Sequence, residues 1–289
     1  MHDVISMKTI AKTLNDWTYT DYFYRLQLIA KSLFKWDNLP NGIDEKWIER
    51  FLFSEGECVF FKDPDKGYMV TKFATTGRLN AYDEPTLIKP IATGYSGNLL
   101  ENGVDCVIIK NNDIALPTSP TLQLFAYRLA EVTRTADVNI NAQKTPVFIL
   151  CDDKQKMSFK QAMKQISENE VAVYSYKQFG IDSIKAIKMD APVVFDRLEI
   201  QKHSYWNEAM TFLGINNANQ DKRERQIVGE VEANNEQVSA GCNVFLKARE
   251  TACDAINKLF NLKEPVKVSL RDMKIPTFND VERGVKHDN

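Results

Sequence analysis

The chain has 289 residues, 44% of them hydrophobic and 26% charged, with a formal net charge of -2. That length suits one large domain or two ordinary ones with a sizeable core, and only 12 Gly and 10 Pro argue against broad disorder. The near-neutral balance excludes a globally basic nucleic-acid binder, so any such role rests on locally placed charge.

In chain order, DYFYRLQLIAKSLFKW places Phe23, Leu26, Ile29, Ala30 and Leu33 on one helical face, and Asn38 and Pro40 end it. IDEKWIERFLF repeats the pattern with Ile43, Trp47, Ile48, Phe51 and Leu52, with Asp44 as N-cap. From about Gly56 to Lys110 the period changes. ECVFFKD, GYMVTKFA, TLIKPIATG and VDCVIIKN are short, rich in β-branched and aromatic residues, and separated by Gly, Asp and Pro turn formers. Such spacing predicts a small β-barrel or sandwich.

Ser119-Pro120 then opens a helix running to about Asn141, with Leu122, Phe125, Leu129, Val132 and Ala136 on one face. Past Thr145-Pro146, VFIL reads as a strand, SFKQAMKQI as a helix and VAVYSY as a strand. A second long helix is expected from Asp190-Ala191-Pro192 to Gly214, where a residue tolerant of positive φ belongs. The polar stretch NNANQDKRERQIVGEVEANNEQ, 216–237, reads as a long charged loop. A third helix is expected from about Ser239 to Asn261, and a polar tail from Lys274.

The chemistry of the common enzyme classes is missing. There is no GxxxxGK[ST], no HExxH and no GxGxxG, and GYSG at 94–97 is not a nucleophile elbow. Cys58, Cys106, Cys151, Cys242 and Cys253 are scattered, and His2, His203 and His287 lie far apart, so zinc-type spacing is absent and the thiols read as reduced. No cofactor is implied. Asp152-Asp153 reads as a solvated turn. The first residues lack a signal-peptide core and no run reaches membrane-span length, so synthesis in a cytoplasm without membrane anchoring is expected.

Several longer stretches form an ordered set: LFKWDNLP (33–40), NNDIALPTSPTLQLFA (111–126), NINAQKTPV (139–147), SIKAIKMDAPVV (183–194), WNEAMTFLGINNANQDKRER (206–225) and NNEQVSAGCNVFLKARETACDAINKLF (234–260). In order and spacing they resemble the portal protein of small podoviruses, also called the head–tail connector or upper collar protein, of the phi29-like type. The resemblance covers nearly the whole chain and fades before about residue 20 and beyond about Pro265. It implies an α+β subunit with a wing of helices and an SH3-like barrel (1–119), a stem helix (120–142), an α/β clip (143–189), a second stem helix (190–214), a channel loop (215–237) and a return helix with tail (238–289). It further implies a homo-oligomeric ring, of twelve in the family, at a capsid vertex of the virion. Double-stranded DNA passes through that ring during packaging and ejection. The implied partners are the major capsid protein, the packaging ATPase and the lower collar or tail proteins, and the portal itself is no enzyme. A non-portal collar or tail adaptor ring is the alternative.

By the same resemblance, Arg197, Lys202, Lys222, Arg223 and Arg225 stand where basic residues line the channel, and Glu230, Glu232 and Glu236 add acidic charge to the loop. Residues 221–236 carry three basic and five acidic side chains, so the implied channel is largely acidic with discrete basic rings. The phi29-type relative begins with a basic arm associated with a packaging RNA; MHDVISMKT has no such cluster, which leaves RNA binding through that arm open.

Overall fold

The structure is a computed structural model. It describes residues 7–144, 147–150, 185–188, 193–215 and 228–271. Its elements are α1 (Met7–Lys31), β1 (Phe34–Asp37), α2 (Glu45–Glu55), β2 (Glu57–Asp63), β3 (Gly67–Thr75), β4 (Leu87–Ala92), β5 (Tyr95–Ser96), β6 (Leu100–Glu101), β7 (Cys106–Lys110), α3 (Ser119–Lys144), β8 (Val147–Leu150), β9 (Lys185–Lys188), α4 (Phe195–Phe212), α5 (Val228–Phe260) and β10 (Lys267–Leu270). They group into two compact units. One comprises Tyr19–Tyr127 and Trp206–Asn289, the other Met1–Thr18 and Arg128–Tyr205.

In the larger unit, α2 forms where the sequence places it. Asp44 sits in extended conformation and accepts a hydrogen bond from the Lys46 amide at 3.0 Å, the N-cap geometry that satisfies an otherwise orphaned donor. The helix stops at Gly56, φ 85°, whose amide donates to the Leu52 carbonyl at 3.1 Å. A Cβ there would lie 2.0 Å from the Ala115 carbonyl oxygen, so glycine is required by both φ and space.

The chain then enters an antiparallel sheet of order β5-β4-β3-β2-β7, with β6 also paired to β4. Strand β2 pairs Phe60 with Val70 on one side and with Val107 on the other. Its side chains alternate. Cys58 and Phe60 face a core built with Ile48, Leu52, Ala252 and Ile256, whereas Val59 and Phe61 pack with Ile88 and Cys106. Both faces are covered, which explains why ECVFF is almost continuously apolar. Phe61 meets Tyr95 of β5 at 6.3 Å between ring centroids, so the far strands fold back over that face.

A buried polar network joins α2 to α5. The Arg249 guanidinium donates to Glu49 in bidentate fashion, Nε to Oε1 at 2.9 Å and Nη2 to Oε2 at 2.7 Å. It also donates to the Asn111 side-chain and main-chain oxygens at 3.1 and 3.2 Å and to the Phe245 carbonyl at 3.0 Å. Its Cζ stands 4.0 Å from the Phe34 ring centroid. Glu49 takes a further bond from the Trp36 indole N–H at 2.9 Å. Both charged side chains are almost fully buried, so the network is viable only because every partner is present.

The smaller unit contains the early part of α1, most of α3, the β8–β9 pair and the first turns of α4. β8 and β9 are antiparallel, with Val147 opposite Lys188. Arg134 of α3 donates to Asn15 of α1 at 2.8 Å, and Arg128 lies over the Tyr205 ring.

Three expectations change. The spacing predicts a first helix that continues to Trp36, but α1 ends at Lys31 and Phe34–Asp37 is a strand paired with Lys267–Leu270. That pairing joins opposite ends of the chain and overrides the local helical pattern. The third helix begins at Val228 rather than near Ser239, so 228–237, expected as loop, is helical. Glu, Ala and Gln are adequate helix formers, and polarity alone did not make this stretch a loop. The strand β10 was not anticipated. The stretches SFKQAMKQI and VAVYSY, the start of the second long helix at 190–192 and the tail from Lys274 lie outside the described residues.

Candidate nucleic-acid interface

Helix α4 carries the two described basic residues of interest. It forms because Leu198, Tyr205, Ala209 and Met210 recur at helical spacing, with Ala209, Met210 and the following Leu213 buried. It ends in a two-bond C-terminal cap. The Gly214 amide donates to the Thr211 carbonyl at 3.0 Å and the Ile215 amide to the Met210 carbonyl at 2.9 Å, with Gly214 at φ 75°. A Cβ on Gly214 would lie 2.3 Å from that of Cys242, so α4 and α5 meet closely at this point, where Phe212 packs edge-on against Phe245.

Arg197 and Lys202 are not equivalent. Arg197 is exposed and has no ion-pair partner among the described residues. Lys202 is half-buried and donates to Glu199 Oε1 at 3.0 Å. His203 Nε2 lies 3.5 Å from the other Glu199 oxygen. The hydrogen bond from Lys202 holds the Glu199 carboxyl below its ordinary pKa. Lys202 also lines a groove of about 180 Å³ with Leu198, Val132 and Asp137, between α4 and α3. Five residues at about 100° each put the two cations about 140° apart around the helix. They do not share one face.

The physical consequence is a difference in available charge. Arg197 offers a guanidinium to solvent, suited to phosphate contact without base reading. The charge of Lys202 is already offset by Glu199. Glu199 was not singled out from sequence, although its i, i+3 spacing to Lys202 was visible there. Lys222, Arg223 and Arg225 lie outside the described residues. Glu230, Glu232 and Glu236 fall on the first turns of α5, with positions 232 and 236 one turn apart.

Other chemistry is sparse. Among the described residues no group of three His, Cys, Asp or Glu is placed to hold a metal, and no helix is long and apolar enough to cross a membrane. The described cysteines are buried, and burial pushes the Cys106 and Cys253 thiols up to about 12, far from nucleophile behaviour.

Comparison with known proteins adds the following. The family model described as Phage Connector (GP10) matches residues 5–273. Among solved structures, the chain is similar to one from the portal and tail of native bacteriophage P68, with 18% identity, 99% of each chain covered and a TM-score of 0.50. A portal protein of the HK97 family from Corynebacterium diphtheriae gives 10% identity, 86% of this chain and 91% of that one, and a TM-score of 0.49.

Proposed function

The chain belongs to the phage connector family, a structural component of phage particles, and from that premise we propose that it is the portal protein of a phage virion. It forms a ring, of twelve subunits by family resemblance, at the capsid vertex where head and tail join. Double-stranded DNA enters and leaves through the ring. The observation that carries this reading is the family match, which runs over residues 5–273 of the chain. By family resemblance the chain divides into wing 1–119, stem 120–142, clip 143–189, stem 190–214, channel loop 215–237 and return helix with tail 238–289. The antiparallel sheet β2–β7 is the SH3-like element of the wing, a reading supported by the way its far strands fold back over Val59 and Phe61. The capsid protein surrounds the wing, and the packaging ATPase and later the tail engage the clip.

Ring symmetry turns a weak local signal into a strong one. One exposed Arg197 per subunit becomes a circle of guanidinium groups, facing a duplex with one negative charge per ~1.7 Å of axis. DNA must slide, so sparse phosphate contacts on an otherwise acidic wall suit the task better than a continuous basic surface. Arg197, Lys222 and Arg223 are the leading contacts, with Arg225 beside them; Lys202, already paired to Glu199, contributes less.

End-on electron microscopy of the purified protein tests this. Twelvefold rings with an axial hole wide enough for duplex DNA are the expected outcome. Monomers, or a closed assembly without a channel, overturn the reading.

A further inference from the structure

Asn111, the first residue after β7, is 1% exposed, and every polar group it owns is engaged. Its amide donates to the Gly56 carbonyl at 2.8 Å. Its carbonyl and its Oδ1 accept from the Arg249 guanidinium at 3.2 and 3.1 Å. Its Nδ2 donates to the Leu116 carbonyl at 2.8 Å and to Thr118 Oγ1 at 2.9 Å. The partners force the orientation of the side-chain amide. A guanidinium only donates and a carbonyl only accepts, so Oδ1 faces Arg249 and Nδ2 faces Leu116. One residue thus bonds the end of α2, the buried side of α5 and the entry to α3.

The loop that Asn111 opens is closed on itself. Asn112 Oδ1 accepts from the Ile114 and Leu116 amides at 3.3 and 3.0 Å, and its Nδ2 donates to the Leu116 carbonyl at 2.8 Å. The Ala115 amide donates to the Asn112 carbonyl at 3.0 Å. Ala115 lies at φ 56°, in the left-handed region that disfavours a residue with a Cβ. Such a backbone persists only where its surroundings over-determine it. Here the Ala115 carbonyl is pressed against Gly56, and Pro117, its φ fixed by the ring, leads into Thr118. Thr118 is 7% exposed, and its carbonyl accepts from the Leu122 amide at 3.3 Å in the first turn of α3. All of these residues belong to the larger unit.

We propose that Asn111 is a positioning residue, which carries the placement of α5, held by the Glu49–Arg249 pair, through Thr118 into the first turn of α3. The 111–118 connection is then a locked elbow and not a hinge. A surface loop between a strand and a long helix is ordinarily among the first segments to open locally. This one is tied to a buried ion pair, so bending of α3 is taken up beyond residue 122. Asparagine suits the position because it both donates and accepts. An ionised Asp has no donor for Leu116 and Thr118, and Leu has neither donor nor acceptor. The inference concerns the subunit itself and stands apart from the channel reading.

Hydrogen exchange read by mass spectrometry tests it, on the full chain in its native oligomeric state, with N111A, T118V and the double variant. N111A is expected to speed exchange over 114–122 by about tenfold, with β2 unchanged. The effect should reach Leu122, whose amide bonds to Thr118 and not to residue 111. T118V keeps the shape and removes the hydroxyl, and should speed exchange at Leu122 as well. The double variant should add nothing there beyond N111A, because both changes cut the same link. No change at Leu122 in N111A, or effects that add in the double variant, overturns the proposal. So does an equal rise in β2, because Asn111 would then only stabilise the core. Should N111A fail to fold, T118V decides alone: a rise confined to the elbow and the first turn of α3 supports the proposal, and an absent or general rise overturns it.

Discussion

Replacing Arg249 with Met should damage the larger unit more than any surface substitution. Met keeps much of the aliphatic stem, so little packing is lost. What goes is the cation, with its two bonds to Glu49 and three to Asn111 and Phe245. Glu49 is then left as a carboxylate in a closed apolar setting, with only the Trp36 indole to satisfy it. Removing one partner of a buried ion pair costs about 3–5 kcal/mol, a large share of the ~5–15 kcal/mol that holds a domain together. Urea unfolding followed by circular dichroism measures the loss. A further arm separates charge burial from packing. Glu49→Gln in the Arg249→Met background removes the stranded charge while keeping an acceptor for Trp36, and should recover about 1–2 kcal/mol. A loss below about 1 kcal/mol in R249M, or no recovery from the Gln, refutes the reasoning.

Other consequences are simpler. Gly56→Ala forces a Cβ to within 2.0 Å of the Ala115 carbonyl at φ 85°, and should destabilise the chain by about 3 kcal/mol or more; a thermal melt unchanged by the substitution would contradict the close approach. Arg197→Ala should weaken duplex DNA retention in assembled particles and flatten its salt dependence, whereas Lys202→Ala should do so much less because Glu199 already offsets that charge; equal effects would place both cations on one DNA-facing surface. The Tyr95 hydroxyl donates to Asp63 at 2.6 Å, and this bond, with two backbone amides, holds the Asp63 carboxyl below its ordinary pKa while burial and Asp63 push Tyr95 up to about 12. The Asp63 contribution is complete above the ordinary carboxylate range and is lost as pH falls through the lowered value. Tyr95→Phe should therefore raise the Asp63 pKa, readable by carboxyl NMR, and an unmoved titration would show that the hydroxyl is not the main cause.

How much of this was legible in the sequence follows from the range of the forces involved. Helix α2, its Asp44 cap, the strand Val147–Leu150 and the stop at Gly214 are local events, set by a few consecutive residues, and the pattern displayed them. The short, β-branched and aromatic run ECVFFKD announced a strand, but not that both its faces are covered, which depends on Ile256 and Ile88 arriving from distant segments. The angle between Arg197 and Lys202 was implicit in their spacing; which of them meets α3 was not. Lys222, Arg223 and Arg225 lie outside the described residues and stand where sequence reasoning left them.

The sequence by itself determined the class of the molecule, because hydrophobic periodicity and glycine or proline punctuation act within a few residues and a family likeness spreads over the whole chain. Only the tertiary structure decided that Phe34–Asp37 is a strand, that Glu49 meets Arg249 across 200 positions, and that α4 and α5 meet closely at Gly214. Each of these is a contact between residues far apart in the chain, and the energy of such a pairing exists only once folding has brought the partner near.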